Sequence, residues 1–170
     1  IEPKRDQVFA KARPEADHAM LAACRDIARQ TGAWFLLGSV VVKREDEPRL
    51  ANRSFLIAPD GAIAARYDKI HMFDVDLEQG ESYRESRSYR PGETAVLADL
   101  PWGKLGMTIC YDLRFADLYR ALTLGGASFL SVPSAFTVPT GRAHWHVLLR
   151  ARAIENFCFV FAPAQSGEHA

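Results

Sequence analysis

Cys110 is the residue of this sequence that is best placed for covalent chemistry. It follows the apolar stretch at 105–109 and precedes the polar residues 111–114, so we expect it where a buried strand ends and the chain turns toward a helix. A thiol at such a junction faces the carboxyl edge of a sheet, and a helix N-terminus or an ammonium group nearby lowers its pKa and favours the nucleophilic thiolate. The alternative is a small buried hydrophobic residue, which is the commoner fate of a cysteine that follows an apolar strand.

Two charged residues, Lys69 and Glu85, are candidates to assist this nucleophile. Lys69 directly follows a predicted strand, where an ammonium group can stabilise an oxyanion. Glu85 lies in a polar stretch at 74–92 that shows no helical or strand period, and an irregular loop of that length is typically functional or disordered. Taken singly, both residues are also typical of solvated surface charges, so neither establishes a site by itself.

The histidines and the remaining cysteines do not indicate a metal site. His144 and His146 are two positions apart on a predicted helix, where their side chains point to nearly opposite sides and cannot share one ion. His71 is a candidate base beside the nucleophile, but no third group of a protease-like triad is identifiable, and a structural histidine is the favoured interpretation. Cys24 and Cys158 fall on the apolar face of a predicted helix and within a predicted strand, so both are assigned to the core.

Hydrophobic periodicity predicts the strands and helices that have to position these residues. The predicted strands are at 34–42, 54–58, 62–67, 105–109, 128–132 and 157–162. The predicted helices run from Pro14 to a cap at Gly32, over 115–124, and onward from a cap at Thr140. Because a strand, a helix and a strand in succession imply a parallel crossover, the predicted fold class is α/β.

Three local patterns add detail to this prediction. The stretch at 34–42 is apolar on both faces, as expected of a strand in the centre of a sheet. The tripeptide at 59–61, Pro-Asp-Gly, stands between two strands and predicts a hairpin turn. In the last predicted helix, one face is shared by Trp145, Leu148, Leu149 and Arg152.

Composition restricts the classes of function. With 170 residues and a hydrophobic fraction of 48%, the chain can bury the core of one ordinary domain. Lys plus Arg equals Asp plus Glu at 21 each, so no net field attracts nucleic acid or an anionic membrane, and neither is expected as a partner. Three widely spaced cysteines, no apolar run of membrane-spanning length and no signal-peptide pattern favour a protein of the reducing cytoplasm.

Four sequence segments, in their order along the chain, together resemble motifs of the nitrilase superfamily. They are 67–76 around Lys69, Glu85 with the Pro-Gly pair at 91–92, 106–115 around Cys110, and 133–155. The last segment resembles the amidase branch. The sequences of segments 67–85 and 143–155 are most similar to those of amidases of α-keto acid amides and of deaminated glutathione. The resemblance covers most of the chain from about residue 34 onward.

The resemblance implies a fold and a reaction. The family fold is a four-layer α-β-β-α sandwich, and its members hydrolyse nitriles, primary amides or carbamoyl amines without a metal or an organic cofactor. Carried over by motif, Cys110 is the nucleophile, and Lys69 stabilises the oxyanion together with the backbone N–H of Tyr111. Glu85 corresponds to a second glutamate that holds the lysine and the substrate in place. The implied reaction passes through a thioester and releases ammonia.

One family residue has no counterpart in this sequence. The general-base glutamate of the family follows a proline at a strand end upstream of the first helix, whereas Glu15 follows Pro14 at the start of a predicted helix. We therefore expect the base before Ile1 and the last family strands after Ala170. Residues 1–170 are then the internal portion of a single carbon-nitrogen hydrolase domain, and a chain with those limits is expected to be inactive.

Substrate recognition and assembly follow from the same resemblance. Arg84, Arg87 and Arg142 are candidates to bind a substrate carboxylate, with a solvated charge as the alternative for each. Family members commonly pair through helices after the nucleophile strand, which implies a homodimer or a higher homo-oligomer. The alternatives are nitrile or N-carbamoyl hydrolysis on the same fold, a catalytically inactive relative that serves in binding or assembly, and an unrelated α/β domain.

Overall fold

The computed structural model of the protein describes residues 5–76 and 82–167. The chain forms two compact units, one within 2–94 and the other within 95–170. In each unit helices contact a β-sheet, so the α/β class predicted from the sequence is confirmed. In the described ranges, no helix is both long and apolar enough to cross a membrane.

The described part of the first unit, within 2–94, contains helices and two separate antiparallel sheets. Its elements are α1 (Arg5–Lys11), α2 (Ala19–Thr31), β1 (Phe35–Lys43), β2 (Leu50–Ile57), β3 (Ile63–Asp68), β4 (Asp74–Asp76) and β5 (Ser82–Arg84). Strands β1, β2 and β3 pair in that order, and β4 pairs with β5 in a short hairpin. The 3₁₀ turn Glu15–Asp17 precedes α2, and the 3₁₀ turn Glu85–Arg87 follows β5.

Helix α2 packs on the β1–β2–β3 sheet because its apolar residues recur three and four positions apart. Leu21, Cys24 and Ala28 are buried in one cluster with Phe55 of β2. The helix ends at Gly32, whose φ of 63° lies in the left-handed region that a glycine after a helix favours. The predicted end of this helix is therefore confirmed.

The start of α2 differs from the prediction, which placed it at Pro14. The helix begins at Ala19, and Glu15–Asp17 form a separate 3₁₀ turn. The carboxylate of Glu15 accepts bonds from Arg53 and Arg66 on the sheet. These contacts with the strands, rather than helical periodicity, determine the path of the chain before α2.

Strand β1 lies at the edge of its sheet, whereas the sequence analysis placed it in the centre. Apart from one bridge between Arg13 and Val42, the described residues pair β1 only with β2, and β2 lies between β1 and β3. Strand β2 is also the more deeply buried of the two. An apolar run shows that a strand is covered, but it does not show which strand is paired on both sides.

The β2–β3 hairpin forms as predicted around Pro59, Asp60 and Gly61. Gly61 has a φ of 78°, a conformation that residues with a side chain rarely adopt. Asp60 Oδ1 accepts a hydrogen bond from Ala62 N at 2.8 Å, which closes the turn. The tripeptide therefore forms the predicted turn through the positive φ of its glycine and the side-chain acceptor of its aspartate.

The polar stretch at 74–92 is more regular than predicted. It contains the hairpin of β4 and β5 and the turn Glu85–Arg87, while residues 77–81 lie outside the described ranges. The paired strands are three residues long each, which leaves too little alternation to show as a strand pattern in the sequence.

The described part of the second unit, within 95–170, is built on one four-stranded sheet. Its elements are β6 (Val96–Leu100), β7 (Gly103–Met107), α3 (Ala116–Leu124), β8 (Ala127–Ser131), α4 (Val138–Asn156) and β9 (Phe159–Phe161). The strands pair in the order β6-β7-β8-β9, with β6 antiparallel to β7 and the other pairs parallel. The parallel crossover through α3 is confirmed, whereas β6 was not predicted.

Helix α4 begins at Val138, with Thr137 as its N-cap residue, rather than from a cap at Thr140 as predicted. The hydroxyl groups of Thr137 and Thr140 are 2.7 Å apart, so Thr140 lies inside the first turn and bonds back to the cap residue. A proline near the start of α4 is compatible with this arrangement, since N–H groups of the first turn have no partner within a helix.

Candidate active site

Cys110 lies three positions after the last residue of β7, at the first position of a 3₁₀ turn that runs Cys110–Arg114. It is half-buried, and its φ of 49° lies in the left-handed region, which costs a non-glycine residue about 1–2 kcal/mol. Cys110 N donates a hydrogen bond to Pro133 O at 3.0 Å, so the chain after β8 helps to hold this conformation. The position at the end of a buried strand is the one expected from the sequence.

The buried carboxylate of Asp112 stabilises this turn from within. Asp112 is 0% exposed, and its Oδ2 accepts a hydrogen bond from Ile109 N at 2.9 Å. Ile109 O in turn accepts a bond from Asp112 N at 3.1 Å, and Asp112 O accepts one from Phe115 N at 2.9 Å. A carboxylate tolerates burial only when donors surround it, so the turn depends on this residue.

Lys69 and Glu85 meet in the first unit. Lys69 lies just after β3, its side chain is 3% exposed, and its Nζ is 2.5 Å from Glu85 Oε2. Because an unpaired buried ammonium group is strongly destabilising, the carboxylate is what allows the lysine to be buried. A solvated surface charge, which was the alternative for Lys69, does not describe this residue.

Two further donors hold the carboxylate of Glu85 in place. Oε2 accepts a hydrogen bond from Phe73 N at 2.7 Å, and Oε1 accepts one from Asn52 Nδ2 at 3.3 Å. Asn52 lies in the central strand β2 and was not identified from the sequence. The only signal available was an amide in a largely apolar strand, and that signal does not identify its partner.

The backbone around Lys69 is packed closely. Lys69 N donates to Asn52 O at 2.9 Å, and Gly92 N donates to Lys69 O at 2.8 Å. A Cβ atom on Gly92 would lie 2.2 Å from Asp68 O, a distance at which the two atoms clash. Glycine is therefore required at position 92 for the chain after Glu85 to return to Lys69.

Arg84 and Arg142, the candidates to bind a substrate carboxylate, have different environments. Arg84 Nη2 contacts both carboxylate oxygens of Asp76, at 2.7 and 2.9 Å, and its Nη1 donates to the carbonyls of Val75 and Tyr83. These contacts hold the β4–β5 hairpin together. Arg142 is exposed near the start of α4.

Similarity to known proteins identifies the family. The sequence model of the family described as carbon-nitrogen hydrolase matches residues 3–170. This chain belongs to the carbon-nitrogen hydrolase family. The matched range includes Lys69, Glu85 and Cys110, so the resemblance on which their expected roles were based is confirmed at the level of the family.

Individual relatives of this carbon-nitrogen hydrolase chain agree with that assignment. It is 47% identical over 176 residues to the deaminated glutathione amidase of Yersinia enterocolitica, a match that covers 98% of this chain but 62% of the length of that relative. Among solved structures, the Caenorhabditis elegans NitFhit protein matches with a TM-score of 0.85 and 39% identity, over 98% of this chain and 40% of that chain. Saccharomyces cerevisiae Nit3, a member of branch 10 of the nitrilase superfamily, matches with a TM-score of 0.83 and 28% identity, over 99% of this chain and 61% of that chain. The chain therefore shares the fold of these proteins.

The other cysteines of this carbon-nitrogen hydrolase chain, and His144, contact neighbouring protein groups. Burial raises the pKa of both Cys24 and Cys158, and Cys158 Sγ donates to Ala127 O at 3.1 Å. His144 Nδ1 lies 3.2 Å from Arg114 Nη1. Across residues 5–76 and 82–167, no three His, Cys, Asp or Glu side chains are grouped so that they could hold a metal ion.

Proposed function

We propose that the protein hydrolyses the carbon–nitrogen bond of small amides, with Cys110 as the nucleophile. Membership of the carbon-nitrogen hydrolase family supports the reaction class. The name of the Yersinia relative, deaminated glutathione amidase, supports an amide as the substrate. The observation that carries the proposal is the buried Lys69–Glu85 pair. Since a buried ion pair is seldom more stabilising than apolar residues of the same volume, its presence favours a functional role.

In the proposed first step, the Cys110 thiolate attacks the amide carbonyl carbon, and the carbonyl π electrons move to the oxygen. The ammonium group of Lys69 and the backbone N–H of Tyr111 stabilise this oxyanion. The tetrahedral intermediate expels ammonia, after a proton reaches the leaving nitrogen, and a thioester remains on Cys110. Attack by water on the thioester then gives a carboxylic acid and restores the thiol. We assign no residue of this chain as the general base.

Glu85 is proposed to position the ammonium group of Lys69 and to contact the substrate. Its carboxylate is held by Phe73 N and by Asn52 Nδ2, so the atom that orients the lysine is itself oriented. A charge that is fixed before the reaction stabilises the transition state without reorganisation during the step. Asn52 thereby becomes a further residue on which the proposed oxyanion site depends.

For the substrate class we propose primary amides of small α-keto acids, because only a primary amide releases ammonia in the step described above. The proposal is supported by the name of the Yersinia relative and by the resemblance of segments 67–85 and 143–155 to amidases of α-keto acid amides. Arg84 and Arg142 are the candidates to bind the carboxylate of such a substrate. Arg142 is exposed, whereas the guanidinium of Arg84 already contacts Asp76. Arg142 is therefore the more available of the two.

Substitution of the nucleophile tests this function. In the complete protein, Cys110→Ala is expected to lower amide hydrolysis by about 10³-fold or more, because no other group replaces the attacking sulfur. Ammonia and carbon dioxide are measured with panels of amides, nitriles and N-carbamoyl amines. Ammonia from amides without carbon dioxide is the expected product pattern.

The matched control is Cys158→Ala, which removes a half-buried thiol from the same unit and should leave hydrolysis unchanged. Full amide hydrolysis by Cys110→Ala would remove the proposed mechanism. Turnover of nitriles alone, or carbon dioxide from carbamoyl substrates alone, would keep the nucleophile and replace the amidase assignment.

We also propose that the protein works in a reducing compartment such as the cytoplasm, and that it forms a homodimer. The three cysteines form no disulfide in the structure, which supports the first point. Val138, Val147 and Ile154 of α4 are exposed apolar residues, which supports an interface on this helix. Sedimentation velocity on the complete protein should give twice the mass of one chain, and a monomer at every concentration would contradict the dimer.

A further inference from the structure

Arg152 is a buried cation in α4 that the proposed reaction does not use. Its side chain is 6% exposed, and its Nε donates to Leu113 O at 3.1 Å. Its Nη1 lies 2.6 Å from Glu155 Oε1, and its guanidinium carbon lies 5.3 Å from the centre of the Tyr119 ring. These contacts offset the cost of burying a guanidinium group, a cost that an apolar residue at this position would not incur.

The carbonyl that Arg152 contacts belongs to the turn that carries the nucleophile. Leu113 is a fully buried residue of the turn Cys110–Arg114. The last carbonyls of a helical turn have no partner within the turn. Asp112 O is bonded locally, by Phe115 N, whereas Leu113 O receives its bond from a side chain 39 positions away. Arg152 therefore ties the end of the turn to α4.

Tyr119 links the same guanidinium to the residues before the nucleophile. The Tyr119 hydroxyl lies 2.8 Å from Thr108 Oγ1, and Thr108 Oγ1 donates to Ser131 O at 2.7 Å. Because the Thr108 proton is used in the bond to Ser131, Tyr119 is the donor in the bond to Thr108. Burial raises the pKa of Tyr119, so the phenol keeps the proton that it donates. Thr108 stands two positions before Cys110.

We propose that Arg152 and Tyr119 are positioning residues that hold Cys110 in the conformation required for attack. The inference rests on the proposed function, in which Cys110 is the nucleophile. The two side chains, which we call the turn clamp, hold the backbone carbonyl of Leu113 and the side-chain hydroxyl of Thr108, on either side of Cys110. The φ of 49° at Cys110 is unfavourable for a residue with a side chain and persists only when surrounding contacts impose it.

The turn clamp is expected to affect the chemical step more than substrate binding. Arg152 and Tyr119 are 5% and 0% exposed, so neither is available to contact a substrate. A nucleophile that is displaced by about 1 Å can lose about 10²-fold in rate. Loosening the clamp should therefore lower the kcat of the fully folded enzyme while KM stays nearly constant.

Substitutions of Arg152 in the complete protein test the inference, with Arg150→Met as the matched control on the exposed part of α4. Amide hydrolysis is measured well below the Tm of each variant, so that all molecules are folded. Arg152→Met is expected to lower kcat by about 10- to 100-fold with KM within about twofold. Arg152→Lys keeps the charge but not the planar donor geometry, and it should restore part of the loss. Arg150→Met should match the wild type.

Tyr119→Phe provides a second test that does not require Arg152 to be replaced. It keeps the ring beside the guanidinium and removes the hydroxyl that donates to Thr108. The loss of one buried hydrogen bond should lower kcat by about three- to tenfold, again with little change in KM. This variant decides the question if Arg152→Met does not fold.

Several outcomes would overturn the positioning role. They are wild-type kcat in folded Arg152→Met or in Tyr119→Phe, equal losses in the lysine and methionine variants, and a loss that appears only in KM. The Cys110→Ala variant separates this inference from the proposed function. If Cys110→Ala is inactive while Tyr119→Phe and Arg152→Met are fully active, the turn clamp alone is refuted; if Cys110→Ala is active, the nucleophile assignment is refuted as well.

Discussion

Lys69 and Glu85 form a charged pair that the protein keeps largely away from water. Their side chains are 3% and 14% exposed. Glu85 has Phe73 N and Asn52 Nδ2 as further donors, whereas for the Lys69 ammonium group the Glu85 carboxylate provides the compensating charge. Removing the charge of the carboxylate should therefore affect the lysine more than it affects the donors around Glu85.

The variant Glu85→Gln tests this dependence. It keeps the size of the side chain but removes the negative charge that lies 2.5 Å from the buried ammonium group of Lys69. We expect the free energy of unfolding to fall by about 1–3 kcal/mol, and kcat to fall by about 10- to 100-fold because the ammonium is no longer held in place. Urea denaturation and steady-state kinetics measure the two effects.

Glu93→Gln is the control for this prediction. Glu93 is 74% exposed and pairs with Arg90 at the surface, where an ion pair contributes little. Its substitution should change neither the free energy of unfolding nor kcat. If both glutamine variants had the same free energy of unfolding and the same kcat, the Lys69–Glu85 contact would contribute to neither stability nor catalysis.

At the scale of the elements, ion pairs connect the chain before α2 to the end of β3. Glu15 lies in the 3₁₀ turn before the helix and accepts bonds from Arg66 and Arg53. Arg53 also contacts both oxygens of Asp68, at 2.6 and 2.9 Å, and Asp68 directly precedes Lys69. The contacts of one carboxylate with two strands thus help to position the strand end from which Lys69 projects.

The charge of Glu15 should make part of the stability depend on pH. Burial by itself would raise the pKa of Glu15, but the hydrogen bonds and charges of Arg66 and Arg53 outweigh it and lower the pKa below the usual value. The contribution of a carboxyl group with a lowered pKa is present above the unfolded pKa, about 4.3, and is lost as the pH falls through the folded pKa.

Glu15→Gln is therefore expected to lower the free energy of unfolding by about 1–2 kcal/mol at pH 7, and by progressively less under acidic conditions below the unfolded pKa. Urea denaturation of both proteins across this range gives the difference. Asp17→Asn, an exposed position in the same 3₁₀ turn, is the control and should have almost no effect. A difference that is constant from neutral to acidic pH would contradict the ionic origin of the effect.

At the scale of the whole molecule, burial distinguishes the three thiols. Cys24 is buried on the face of α2 that packs on the sheet, and Cys158 is half-buried where its Sγ contacts Ala127 O and Asn156 O. Burial raises the pKa of both, so at a given pH each carries less of the reactive thiolate than an ordinary cysteine does. Cys110 is placed differently, at the start of a turn after β7.

Limited alkylation with iodoacetamide near neutral pH should therefore modify Cys110 before the other two thiols. Peptide mapping by mass spectrometry gives the rate at each position, and the rates at Cys24 and Cys158 should increase with pH well above neutrality. In a Cys24→Ala, Cys158→Ala protein, the fast phase should remain. Faster labelling of Cys24 or Cys158 than of Cys110 would contradict both the burial argument and the proposed nucleophile.

Several features of this protein could be predicted from short stretches of sequence. The cap at Gly32, the hairpin turn around Asp60 and the crossover through α3 depend on local residue types and on hydrophobic period. The position of Cys110 at the end of a strand follows from the contrast between apolar and polar neighbours. Periodicity also placed Arg152 on one face with apolar residues, but it did not predict what Arg152 contacts.

Other features depend on residues far apart in the chain, and local pattern could not identify them. Asn52 and Glu85 are 33 positions apart, and Arg152 and Leu113 are 39 apart. The central position of β2, rather than β1, likewise depends on which strands pair. A sequence window reports the preferences of its own residues, whereas these contacts exist only after separate segments have packed together.

The sequence by itself determined the α/β class and the helices and strands with a clear hydrophobic period. It also determined the family, through motifs that are specific in combination. Only the tertiary structure decided that Lys69 is buried, that Glu85 pairs with its ammonium group while Asn52 holds Glu85, and that Arg152 holds the turn after Cys110. The physical reason is that the free energy of a charge depends on its surroundings. The same lysine is unremarkable in water but requires a partner in the interior, and those surroundings are created by folding.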